Sequence, residues 1–413
     1  MASRESITAH LPDLDRLDDP FVQAVVAFER AALLLDLEDW MVERLRLCER
    51  ECTARLPLMR EDGRAVTVTA QEAIHHTIHP YSIARLEVRP QGSQSEVRAH
   101  AMRMSWTCAL MNVAASGGGV LLGCQAAEYS ETEMRQLTRE LAPALRARTS
   151  AGAVTGGRGA NDYVMAWLAQ ECAGAAVRVL PASEVERACQ CEAATQWVMR
   201  MLHARMGRVE GARIALQGCG RAALDIAGAL VGHGVKVIAL ADASGGVMDV
   251  EGLDLGAVRK HLAREGVLLG FEAGEAVSNA EVLALECEAL LLASGANQVT
   301  AGNGGLVRAR VVAELEADAI TLDAMQALAE RSEVAPHWMM DAGTVVSATL
   351  QAKEWMGLQM PARRARAVIR RAVGETWTDI QQARRRWNVP VHEAAQLVAV
   401  DRLAERLRFQ RPG

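Results

Sequence analysis

Three small residues in this chain stand at the spacing that lets a backbone turn approach a phosphate. Gly218-Cys219-Gly220-Arg221-Ala222-Ala223 is a G-x-G-x-x-A run that follows an apolar strand candidate, Arg213–Gln217. It opens a helix candidate, Ala222–Gly232, and a second strand candidate follows at Val235–Ala241. Gly218 permits the tight turn, Gly220 lets the backbone reach a pyrophosphate, and Ala223 allows close helix–strand packing. The helix N-terminus offers free N–H groups to the phosphate. Asp242, 22 residues past Gly220, is placed to accept hydrogen bonds from an adenine ribose. A carboxylate there repels a 2′-phosphate, so the expected cofactor is NAD rather than NADP. No metal is expected.

Other residue types limit the chemistry. The basic residues are nearly all arginine: the lysines are Lys236, Lys260 and Lys353, and the first 235 residues contain none. Arginine stays protonated and cannot act as a tunable proton donor, whereas lysine can. His75, His76 and His79 form a cluster that reads as a surface patch, with anion or amino-acid binding as the alternative. Cys48 and Cys52 lie four apart on a helix candidate, and Cys189 and Cys191 form a close pair. Neither pair has the matching second half that a metal site needs. Arg363, Arg364 and Arg366, and then Arg384, Arg385 and Arg386, read as solvated helix faces or subunit contacts.

The elements that must position these residues follow from periodicity. Residues 21–50 read as two amphipathic helices. Arg55–Met59 and Ala65–Thr69 read as strands joined by the turn Glu61-Asp62-Gly63, with a third strand at Leu86–Arg89. Helices are predicted at Glu96–Asn112, 131–148, 161–173 and 184–206. After the βαβ unit that begins at Arg213, apolar runs at Ala289–Ala293 and Ala335–Met340 predict further parallel strands. From about 344 the chain is helical and arginine-rich, ending in Val391–Arg408. At 413 residues, half of them hydrophobic, the chain can form two cores, and its net charge of −6 argues against a nucleic-acid partner. No apolar run suits a membrane span. The acidic, polar N-terminal stretch and nine cysteines without scaffold-like spacing predict a cytoplasmic protein.

Several segments resemble the glutamate dehydrogenase family (the Glu/Leu/Phe/Val dehydrogenases). Residues 235–271, with ADASGG then EGLD, resemble the family's SDSSGG and EGLD, and Met104–Asn112 resembles MTWKCALVN. Cys287–Thr300 resembles CDILIPAALENQIT, which makes Asn297 a cofactor-side candidate. Asn161–Trp167 resembles NPQIMAW, and 391–408 resembles the terminal helix. The resemblance implies an α/β protein with a substrate-binding and oligomerisation domain over 1–185 and a Rossmann-like NAD-binding domain over 186–345. It also implies C-terminal helices, 346–413, that return to the first domain, and a hexamer-type assembly.

In that register the positions that carry the family's chemistry differ. The substrate-binding lysine of KGGIR falls on Ile83, and the lysine of TWKCA on Thr107. The lysine of YGGAKGG falls on Gly119, and the aspartate of PAPDVGT on Gly157. On the cofactor side, AEGAN appears as Ala313–Ala317 and NAGGV as Asp341–Val345. Arg85 and Arg158 lie near the histidine cluster in the family's arrangement. The resemblance therefore implies a catalytically deficient homologue, a regulatory subunit that assembles with an active NAD-dependent glutamate dehydrogenase and answers to an amino acid such as leucine. Alternatives are a stand-alone nucleotide or amino-acid sensor, or an amino-acid dehydrogenase with altered substrate.

Overall fold

The structure is a computed structural model that describes residues 19–147, 151–354 and 360–409. The N-terminal stretch and the last residue of the helix expected over 131–148 lie outside the described residues. The chain forms two compact units. One is drawn from Met1–Glu184, Ala348–Met356 and Gln396–Gly413, the other from Val185–Ser347 and Gly357–Ala395.

The first unit is built on β1 (Arg50–Met59), β2 (Ala65–Ile74), β3 (Tyr81–Val88), β4 (Ser116–Leu122), β5 (Ala151–Gly156) and β6 (Val177–Leu180). Their order in the sheet is β1-β2-β4-β3-β5-β6. β1, β2 and β4 pair antiparallel, whereas β4, β3, β5 and β6 pair parallel. Side chains alternate across the sheet, so one strand feeds two cores. Val120 and Leu122 join Leu86, Met134, Leu137, Leu141, Val164 and Leu168 on one face. Leu121 joins Ala73, Val97 and Ala101 on the other, under the helix Gln94–Leu110. That helix begins at a reciprocal cap in which Ser93 accepts from the Glu96 N–H and the Glu96 carboxylate accepts from the Ser93 N–H. Its C-terminal carbonyls are met by the terminal helix Val391–Arg408. Arg402 donates to the carbonyls of Ala109 and Leu110, and Arg406 donates to Val113 O at 3.0 Å. Cations at a helix C-terminus satisfy its orphan acceptors and its dipole together.

The second unit holds a seven-stranded sheet of β7 (Arg213–Gln217), β8 (Lys236–Asp242), β9 (Gly245–Met248), β10 (Glu275–Val277), β11 (Ala289–Leu292), β12 (Val311–Glu314) and β13 (Glu333–Ala335). The order is β10-β9-β8-β7-β11-β12-β13. β8, β7, β11, β12 and β13 run parallel, and β9 and β10 are added antiparallel. The sequence direction reverses between β7 and β11, the switch point at which open α/β sheets present their ligand crevice. The long helix Ala362–Trp387 packs within this unit. Arg370 pairs with Glu192 at 2.8 Å, Trp377 lies 6.3 Å from Trp197 between ring centroids, and Arg384 pairs with Glu333.

Two expectations need correction. The run Ala335–Met340 is not one strand: β13 ends at Ala335, and Pro336 caps the short helix His337–Met340. Proline has no N–H for the sheet and suits a helix start. The C-terminal helices also do not form one block returning to the first domain. Ala362–Trp387 belongs with the second unit, whereas Ala348–Met356 and the part of the terminal helix from Gln396 belong with the first. Among the described residues, no helix is long and apolar enough to cross a membrane.

Candidate functional site

The glycine turn forms as its residue types demand. Gly218 closes β7 at φ +112, where a Cβ would lie 2.5 Å from the carbonyl carbon and oxygen of Ala293 at the end of β11. Only glycine fits so close to the neighbouring backbone. Gly220 is the N-cap of the helix Arg221–Val231 and has no side chain to satisfy the first N–H groups. A Cβ there would meet nothing within 4 Å. Gly218 is thus held by the protein itself, whereas Gly220 faces open space beside unsatisfied donors, as a pyrophosphate cradle requires. Ala223 is buried against the sheet.

Asp242 ends β8 but is not idle. Its Oδ1 accepts from the Ser244 N–H at 2.7 Å and from the Ser244 hydroxyl at 2.5 Å. Its Oδ2 accepts from the Leu268 N–H at 2.7 Å, with the Cys219 thiol at 3.8 Å. Although burial opposes ionisation, these hydrogen bonds hold its carboxyl below the usual range. Cys219, beside that carboxylate, is pushed up to about 11 by burial and by the charge of Asp242. Asn297 is exposed after β11 at φ +56, and its N–H donates to Asp318 O at 2.8 Å. The Leu268 and Ser244 contacts carry no sequence signal beyond the glycines that flank the segment.

On the same unit, Glu314 is buried, its two oxygens accepting from the Ile320 N–H at 2.8 Å and the His337 N–H at 3.2 Å. Asp341 accepts from the Thr344 hydroxyl at 2.5 Å, and Thr344 in turn accepts from Gln190 at 3.0 Å. A Cβ at Gly343 would lie 2.4 Å from the Gln190 Cα. Gly343 therefore marks a close helix–helix approach.

The four remaining candidates lie on the first unit. Ile83 is fully buried in β3, and Thr107 is buried with its hydroxyl donating to Arg103 O at 3.0 Å, one turn back along its helix. Gly119 is inside β4, paired with Ala73 on one side and Arg85 on the other. A Cβ on Gly119 would lie 2.7 Å from the Val97 carbonyl oxygen, and one on Gly117 only 2.2 Å from the Ser105 nitrogen. These glycines let the strand lie flush under the helix Gln94–Leu110. At Gly157 a Cβ would lie 2.7 Å from Arg85 Cγ, so the stem of Arg85 occupies that volume. No side chain projects from either glycine, and neither position has space for one.

The histidine cluster is not the expected surface patch. His75 and His76 are fully buried and His79 is partly exposed. His75 bonds Leu45 O through Nε2 at 2.8 Å, and His76 Nδ1 lies 3.0 Å from the Ser116 hydroxyl. Burial pushes His75 down to about 4 and His76 well below its ordinary value. The arginine against this cluster is Arg406, with Nη1 3.3 Å from His79 Nε2. Arg85 instead opposes Gly119, three residues along β4 from Ser116, and Arg158 is exposed. The cysteines form no disulfide, and the described residues contain no cluster of three or more metal-ligating side chains.

The model of the glutamate/leucine/phenylalanine/valine dehydrogenases matches residues 186–411, and that of the family's dimerisation domain matches residues 48–173. Glutamate dehydrogenase of Thermotoga maritima is 26% identical over 406 residues, covering 93% of this chain and 96% of the relative. The NADP-specific enzyme of Synechocystis is 25% identical, with 93% and 96% covered, and the NAD-specific enzyme of Staphylococcus aureus is 24% identical, with 91% and 94% covered. Among solved structures, the leucine-bound hetero-hexameric glutamate dehydrogenase of Thermus thermophilus superposes with a TM-score of 0.86 at 21% identity, covering 98% of this chain and 99% of its own. With both halves matched and a parallel nucleotide-type sheet behind the glycine turn, this chain belongs to the Glu/Leu/Phe/Val dehydrogenase family.

Proposed function

We propose that this chain is a catalytically deficient glutamate dehydrogenase homologue that acts as a regulatory subunit in a mixed oligomer with an active paralogue. Oxidative deamination needs cations on the substrate carboxylates, a base at the amine and a group that activates water. The observation that carries the reading is Gly119. The family's lysine position is a strand residue pressed against Val97 O, with no volume for any side chain. Gly157 adds to it, since Arg85 fills the space of the family's aspartate. Loss of one electrostatic stabiliser lowers a rate by about 10²–10³, and here several are absent together. The Thermus structure is named as a hetero-hexamer in a leucine-bound form, which supports mixed assembly and an amino-acid effector such as leucine.

NAD would be held through its pyrophosphate by Gly218, Gly220 and the helix N-terminus behind Ala223, with Asp242 facing the adenine ribose and Asn297 at the neighbouring strand end. Bound there, the dinucleotide supplies a hydride acceptor. What these residues themselves do is bind and orient it. The open space at Gly220 favours a second reading, a stand-alone nucleotide sensor.

Affinity purification from the native host tests the choice. A co-purifying active glutamate dehydrogenase, with light scattering showing a mixed oligomer, is the expected result. A monomer unchanged by addition of the host's active enzyme refutes the subunit reading and leaves the sensor. Amino-acid turnover within a hundredfold of ordinary family members refutes both.

A further inference from the structure

The ribose-facing carboxylate is covered by the chain's own backbone. The helix Leu255–Glu265 ends at Gly266 in the left-handed region, φ +77, and the following segment returns across the end of β8. Its Leu268 N–H donates to Asp242 Oδ2 at 2.7 Å, and its Leu269 N–H donates to the Ser244 hydroxyl at 3.0 Å. Ser244 itself donates twice to Oδ1. A carboxylate offers about four lone-pair sites. The two Ser244 donors, Leu268 and the distant Cys219 thiol account for them, and only the last is weak. Leu268 is 3% exposed and anchors the segment, whereas Leu269 beside it is 70% exposed. His261 bonds Leu269 O through Nε2 at 3.2 Å and packs edge-on against Phe271 at 5.4 Å. Gly270 at φ +85 and Gly274 at φ +150 give the segment turning points that other residues rarely adopt.

We propose that residues 266–274 form a strap that occupies the hydrogen-bonding positions of the adenine ribose, so that a nucleotide binds only as the strap lets go of Asp242. This rests on the nucleotide reading of the Gly218 turn and adds a gate to it. The ribose hydroxyls and the Leu268 N–H are donors for the same carboxylate oxygens. Binding therefore exchanges one set of bonds for another, and affinity is lowered by the fraction of time the strap is closed. The glycines at its ends allow release without disturbing β8.

Two measurements on the full chain, with NAD and AMP as probes, test the strap. Hydrogen exchange of the Leu268 and Leu269 amides should be slow in the free protein and at least several-fold faster at saturating NAD. In calorimetry, Leu268→Pro, which removes the N–H, should bind NAD and AMP about tenfold more tightly than the parent, the equivalent of one charge-assisted hydrogen bond no longer broken. Ser244→Ala loosens the same contact from the other side and should shift affinity in the same direction if the proline variant does not fold. Nucleotide binding by the parent with both amides still protected, or unchanged affinity in the variants, overturns the strap and leaves the nucleotide reading standing. Absence of binding in parent and variants alike overturns both.

Discussion

Adding a single methyl group at Gly119 should destabilise the first unit measurably. The Cβ of Gly119→Ala would stand 2.7 Å from Val97 O, 3.3 Å from Val97 Cγ1 and 3.5 Å from His100 Cβ. An ordinary carbon–oxygen contact is about 3.3 Å or more, so the helix and β4 must part by about half an ångström. Neither moves freely: β4 is paired on both sides, and Val97 is in the first turn of a helix whose far end is clamped by Arg402 and Arg406. Overpacking of this kind costs about 1–3 kcal/mol, offset by about 0.4–1 kcal/mol from the stiffer unfolded chain. The net expectation is a loss of about 1–2 kcal/mol. Urea denaturation reads it as a lower midpoint at unchanged slope. Gly305→Ala is the control, since nothing lies within 4 Å of its Cβ and its φ is ordinary, and it should be neutral or slightly stabilising. If the two variants agree within about 0.5 kcal/mol, β4 has room at position 119 and the steric argument fails.

Other expectations can be checked on the same material. Gly119→Lys combined with Gly157→Asp should give no glutamate dehydrogenase turnover with NAD or NADP, because catalytic groups act as a unit; recovery to within a hundredfold of a family enzyme would contradict this. His75 is depressed from the usual 6.5 to about 4, so below 6.5 the unfolded chain takes up protons that the folded chain refuses. Stability contributed by neutral His75 is present above pH 6.5 and is lost as pH falls toward 4, by roughly 3 kcal/mol. A urea midpoint flat between pH 6.5 and 4.5, or a slope that survives His75→Gln, would refute it. Arg406→Met removes donors to Val113 O and the Asn112 amide oxygen and should lower stability by about 1.5–3 kcal/mol, measured by the same denaturation.

The second unit was legible because its signals are local. A glycine turn between an apolar strand and a helix, with an acid ending the next strand, needs no partner from elsewhere in the sequence. Helix starts carry local signals too, as at Ser93 and Ser130, where the cap and the reciprocal glutamate lie three residues apart. In the first unit the hairpin of β1 and β2 and the end of β3 were readable, but β4, β5 and β6 were not. β4 contains Gly117, Gly118 and Gly119, residues that weaken a strand, and its reason to be one is the helix lying on it. β9 and β10 are too short to show alternation, and the Ala335 run concealed a strand end and a helix start behind Pro336. Likewise the burial of His75 and His76 depends on Leu45 and Ser116, far from them in sequence. That position 119 carries no side chain was visible, but that it has no space for one was not, because the space is set by Val97 and the backbone that carries it.

The discontinuity of the first unit bears on how the chain is made. Its sheet is complete in sequence by Leu180, yet the helix that supplies Arg402 and Arg406 is translated only after the whole second unit. Domains fold as units during synthesis, at about 5–20 residues per second. For the roughly ten seconds or more that separate Leu180 from Arg402 at that pace, the carbonyls of Ala109, Leu110 and Val113 have no arginine to receive, and the apolar side of the final helix has not left the ribosome. The part of the protein made first is thus finished last. A stop placed just before Gln396 would leave the second unit nearly whole while leaving the first without Arg402 and Arg406.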